Sequence, residues 1–113
     1  MAKATDAQKD RFRALVPEGP GVQVKPLFGQ LGAYVNGNMF AGLYGDDLGV
    51  KLDDAARAEL SALDGTGPFS PGGKAMGSYL ALPPTMAPDE AAVWFARARD
   101  HVATFPPKGS GVS

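Results

Sequence analysis

The chain has 113 residues, 44 % of them apolar and 20 % charged, the composition of one globular domain able to bury roughly two-thirds of its unfolded surface. A formal net charge of −1 and a pI near 5.7 provide no global field for a phosphate backbone, so DNA binding by the isolated chain is not expected. Without cysteine, disulfides, thiol nucleophiles and thiolate metal sites are excluded.

From Met1 to Arg13 the sequence is polar and mixed in charge, with no apolar stretch of a secretory signal. No run anywhere approaches the ~18 apolar residues of a membrane span, so a cytoplasmic protein is expected. Thr5-Asp6-Ala7-Gln8 has the form of a capping box and predicts a helix start. Phe12, Leu15 and Val16 form its apolar stripe, and Pro17 stops it. Val22, Val24 and Leu27 then alternate with polar residues as in a half-buried strand. Pro26 within it lacks a donor, so the strand is expected to lie at a sheet edge or to begin beyond the proline.

Asn36-Gly37 predicts a two-residue hairpin, because both residues tolerate the positive φ of a type I′ turn. Gly45-Asp46-Asp47 marks a second turn, giving a meander of strands near residues 31–36, 39–44 and 47–52. With two-residue loops, Met39, Ala41, Leu43, Leu48, Val50 and Leu52 share the core face. The other face then carries Val35, Phe40, Gly42, Tyr44, Gly49 and Lys51.

A second helix is expected to begin at Asp53 or Asp54 and to end at Gly65, with Leu52, Ala56, Leu60 and Leu63 as its apolar stripe. Thr66 to Gly77 reads as a loop rich in Gly, Pro and Ser, anchored by Phe69 and Met76. Ser78 to Leu82 reads as a strand closed by Pro83-Pro84. The third helix follows Pro88, with Ala91, Trp94, Phe95, Ala98, Val102 and Phe105 on one face. Residues 1–107 are therefore read as one α+β domain, a two-layer antiparallel sheet with flanking helices, and residues 108–113 as a flexible tail.

Chemistry is sparse along the chain. His101 follows Asp100 directly, so the two side chains diverge by about 100° on a helix and form no relay. The Asp46-Asp47 and Asp53-Asp54 pairs suit a turn and a helix cap, and no oxygen-rich cation loop surrounds them. Gly73-Lys74 fails as a phosphate loop, since Pro68 stands where a glycine is needed and Ala75 where a hydroxyl is needed. Serines 61, 70 and 78 have no activating partner at a known spacing. No catalytic residue, cofactor site or metal ligand is assigned, and the chain is read as non-enzymatic.

Two surface readings remain. Lys25, Lys51 and Lys74 with Tyr34, Phe40 and Tyr44 would make a basic, aromatic surface if they converged, against the plainer reading of solvated lysines beside half-buried aromatics. Gly42 and Gly49 share a face and would leave a shallow depression bordered by Phe40, Tyr44 and Lys51, open either to packing or to binding. These five residues form the candidate interaction surface.

The order of Lys25-Pro-Leu-Phe-Gly29, Val35-Asn-Gly-Asn-Met-Phe-Ala-Gly42, Gly45-Asp46-Asp47, Pro68-Phe69 and Lys74-Ala-Met76-Gly77 resembles the N-terminal domain of the TfoX/Sxy competence regulators. The resemblance spans about Arg11 to Pro107, with Leu27 where methionine is usual. It implies a fold similar to secretion chaperones and YjbR-like proteins, and a regulatory role tied to transcriptional control of DNA uptake. The separate C-terminal domain of full-length regulators is expected to be missing, since the sequence stops at Ser113. The expected function is a regulatory or adaptor domain that binds an unidentified protein or pairs as a homodimer. A nucleic-acid accessory role and a small-molecule site on the glycine-rich face are the alternatives.

Overall fold

The computed structural model describes residues 4–27, 29–70 and 77–106. Phe28, Lys74, Met76 and the tail beyond residue 106 lie outside the described residues. The elements run α1 (Asp6–Leu15), β1 (Val22–Leu27), β2 (Gln30–Val35), β3 (Asn38–Tyr44), β4 (Asp47–Lys51), α2 (Asp54–Ser61), β5 (Gly67–Pro68), β6 (Tyr79–Ala81) and α3 (Pro88–Val102).

Local chemistry fixes most element ends. Thr5 Oγ1 accepts from the Gln8 amide at 3.1 Å while Gln8 Oε1 accepts from the Thr5 amide at 2.8 Å, completing the capping box. Asp53 caps α2 by accepting from the Ala56 amide at 2.8 Å. Pro88 opens α3, where its missing N–H leaves no bond unmade. Asn36 and Gly37 have φ of 52° and 85°, and Val35 pairs with Asn38, so the hairpin closes in two residues as its sequence predicts. Tyr44 pairs with Asp47 around the second turn.

The meander is the centre of a larger sheet. All neighbours are antiparallel, in the order β1-β2-β3-β4-β6-β5. β1 lies at one edge, as Pro26 requires. β5, a two-residue strand inside the segment read from sequence as a loop, lies at the other. The crossover between β4 and β5 is α2, and β6 then returns between them.

α3 lies across β2, β3 and β4, and α1 packs on α3 and β2. Phe12 of α1 meets Phe95 of α3 edge-on at 5.5 Å. Ala91, Trp94, Phe95, Ala98 and Val102 are buried along the face of α3 that its periodicity selects, whereas Phe105 sits half-buried past the helix end. α2 stops at Ser61 rather than at Gly65, so Leu63 leaves the helical stripe and is exposed.

The sheet faces depart from strict alternation at one point. Ala33 pairs with Ala41 but Tyr34 pairs with Met39, so β3 carries one extra residue, a β-bulge at Phe40. That residue re-phases the start of β3. Phe40 and Ala41 both enter the helix-backed core with nothing exposed, while Met39 moves to the opposite face. Val35 also lies in this core, at 2 % exposure. The expected placement of Met39 in the core, and of Val35 and Phe40 outside it, is corrected accordingly.

Candidate functional site

The sheet face turned away from α1 and α3 is built on small residues. Gly32 pairs with Gly42, Gly42 with Gly49, Gly49 with Ala81, and Ala81 with Gly67, so one row of minimal side chains crosses five strands. None of Gly32, Gly42, Gly49 and Gly67 has a positive φ, so these positions are small to leave space rather than to permit a turn.

Aromatic side chains of the same chain take that space. A Cβ built on Gly49 would lie 2.5 Å from Cγ and Cδ2 of Phe69, and one on Gly42 would lie 3.4 Å from its Cε2. Phe69 is 3 % exposed, and its ring stands 6.1 Å from that of Tyr79. The Tyr79 hydroxyl donates to the Met39 carbonyl at 2.9 Å, which ties β6 to the start of β3 across the row. Burial pushes the Tyr79 phenol well above its ordinary range, with the neighbouring Tyr34 adding to the shift. Over Gly32 lie Tyr34 and the Met39 sulfur, at 3.0 and 3.2 Å from the Cβ position. Phe69 is therefore an anchor, as expected, but on the second face and not in the main core.

Of the five residues read as an interaction surface, Gly42 and Gly49 are buried under Phe69 and Phe40 is in the opposite core. The open depression does not exist in this conformation, because a side chain remote in sequence fills it. Tyr44 and Lys51 remain half-buried at the surface. Lys51 Nζ lies 5.0 Å over the Phe105 ring, and Lys25 Nζ lies 5.2 Å over Tyr34. β1 and β4 are three strand spacings apart, about 14 Å, so Lys25 and Lys51 each serve their own aromatic instead of converging. Lys74 lies outside the described residues.

Several of the remaining polar candidates have structural partners. Asp100 accepts from Arg99 Nε at 2.8 Å, and His101 packs edge-on against Phe105 at 5.0 Å. Asp46 accepts from Gln8, joining the α1 cap to the β3–β4 turn. Glu59 takes a two-pronged bond from Arg97, at 3.1 and 2.8 Å, which holds its carboxyl below the usual range. No group of three or more His, Asp or Glu suited to a metal ion occurs among the described residues.

Sequence reasoning passed over a second concavity. A cleft of about 310 Å³ opens between α2 and the β5–β6 pair, and Arg57 and Ser61 line it with Thr66, Gly67, Pro68 and Tyr79. The only trace in the sequence is the four-residue spacing of Arg57 and Ser61, which puts them on one helix face. That spacing is too common to single them out.

An antiparallel sheet with helices over one face, and its own aromatics sealing a glycine row on the other, defines a small α+β domain. The family model for the TfoX N-terminal domain matches residues 10–102, nearly the whole chain. The chain belongs to that family. No curated protein and no solved structure matches it. Among the described residues no helix is long and apolar enough to cross a membrane.

Proposed function

We propose that this chain is a non-enzymatic regulatory or adaptor domain of the cytoplasm that acts by binding another protein or a second copy of itself. The observation that carries it is the family match across residues 10–102, which suggests a regulatory or adaptor role. Charge supports the choice of protein over DNA. The 11 basic residues are offset by 12 acidic ones, and Lys25 and Lys51 stand on separate aromatics. Non-specific duplex binding of ~10⁻⁴–10⁻⁶ M already requires a cationic cluster. Tyr44 and Lys51, the half-buried remainder of the predicted surface, are the residues to perturb first.

The test is a tagged pull-down from the native cell, with a nuclease-treated control and a Tyr44→Ala/Lys51→Glu variant. A partner that survives nuclease and is lost with the variant supports the proposal. Capture that disappears with nuclease, together with sub-micromolar duplex binding that weakens steeply with salt, would replace it with a nucleic-acid role.

A further inference from the structure

We infer that the cleft between α2 and the β5–β6 pair binds a small organic anion, a carboxylate or phosphate carried on an apolar body about the size of one aromatic ring. The inference is independent of the adaptor role. It begins with two polar groups that the fold leaves available. Among the described residues the Arg57 guanidinium meets no acceptor and forms no ion pair, unlike Arg97, Arg99 and Arg13, each of which has a carboxylate. The Ser61 hydroxyl, one turn along α2, also makes no hydrogen bond there. The two lie on one side of the helix, four residues apart, and both line the cleft.

The other polar groups of the wall are already committed. The Thr66 hydroxyl donates to the Leu60 carbonyl at 2.8 Å, and the Tyr79 hydroxyl donates to the Met39 carbonyl at 2.9 Å. Both residues line the cleft beside Pro68 and Leu80. What remains uncommitted among the described residues is a planar guanidinium with a hydroxyl one helical turn away, beside the apolar side chains of Pro68 and Leu80, a combination suited to a two-pronged grip on a carboxylate or phosphate. The volume, about 310 Å³, is at the lower end of the ~300–1,000 Å³ of small-molecule sites. That limits the guest to a small one.

Amide chemical shifts of the full chain should be followed by NMR on titration with benzoate, phenyl phosphate, inorganic phosphate and the neutral analogue benzamide. Benzoate and phenyl phosphate are expected to shift the Arg57, Ser61, Gly67 and Leu80 amides saturably, with a dissociation constant on the order of 1 mM. Whichever of the two binds more tightly identifies the head group. Benzamide should bind at least about tenfold more weakly, and so should benzoate to Arg57→Gln. Ser61→Ala, which removes the hydroxyl from an exposed position of α2 and leaves the charge in place, should also weaken the shifts, and it tests the site even if Arg57→Gln is poorly folded. Three results would overturn the inference: equal binding of benzamide, binding unchanged in Arg57→Gln, or no saturable shift at these amides. Inorganic phosphate binding as tightly as phenyl phosphate would also refute it, because the apolar wall would then contribute nothing.

Discussion

Gly49→Ala is the sharpest probe of how the second sheet face is closed. The added carbon would lie 2.5 Å from Cγ and Cδ2 and 2.7 Å from Cδ1 of Phe69, against the ~3.5–4.0 Å of an ordinary carbon contact. These atoms are at the root of the ring, so no rotation about the ring axis relieves the overlap. The ring must withdraw by about 1 Å, from a position where it also contacts Gly42 and Tyr79. Such overpacking costs ~1–3 kcal/mol, offset by the ~0.4–1 kcal/mol that alanine gains by restricting the unfolded chain. Urea unfolding followed by Trp94 fluorescence should therefore show a net loss of about 1–2 kcal/mol. In a Phe69→Ala background the same substitution should become neutral or stabilising, a coupling of about 1–3 kcal/mol. Gly67→Ala, where the Cβ meets nothing within 4 Å, is the control and should change stability by less than about 0.5 kcal/mol. If Gly49→Ala were as stable as the parent, or equally harmful with and without Phe69, the seal would not be what makes the position small.

Gly37→Val should cost ~1–3 kcal/mol, because φ is 85° there and a β-branched residue is strained in that region; an unchanged denaturation midpoint would contradict the turn. Trp94, 7 % exposed with Arg97 4.8 Å over its ring, should emit with a blue-shifted maximum, and Trp94→Ala should lose ~3–5 kcal/mol; water-like emission from the native chain would refute its burial. On alkaline titration Tyr79, raised by burial, should ionise only above the ordinary phenol range. Because its folded value exceeds its unfolded one, its stabilisation is whole below about pH 10 and is lost as the pH climbs higher. Ionisation of Tyr79 in the ordinary phenol range would rule out the buried hydroxyl, and Tyr79→Phe should remove that share of the alkaline destabilisation.

What the sequence discloses and what it conceals divide along range. The Thr5–Gln8 box, the Asn36-Gly37 turn, the Asp53 cap and the buried stripe of α3 each depend on residues within a turn or two of one another, and each is present as read. The bulge at Phe40 leaves no such trace, since an apolar residue in β3 suits either face. It alone reverses the assignment of Phe40 and Met39. The covering of the glycine row is hidden for a similar reason. Gly42 and Gly49 were recognised as neighbours with little between them, but the side chain that covers them arrives from residue 69, through a strand of two residues that pattern reasoning does not detect. Arg57 becomes conspicuous only when α2 and β6 are placed together and it is seen to line a cleft with no carboxylate beside it among the described residues.

The return of β6 between β4 and β5 has a kinetic meaning. β5 and β6 pair over only two positions, Gly67 with Ala81 and Pro68 with Leu80, too few to persist as an isolated hairpin. The pair becomes stable only as β6 docks on β4, and the same event lowers Phe69 and Tyr79 onto the glycine row. The β2–β4 meander, in contrast, is joined by two tight turns and can assemble from contacts close in sequence. The meander is thus expected to form first and the β5–β6 pair to dock later, which makes that pair the unit expected to open without global unfolding. Under native conditions the amides of β6 should exchange with deuterium ahead of those in β2 and β3, and the aromatic seal should open and close with them as a single step.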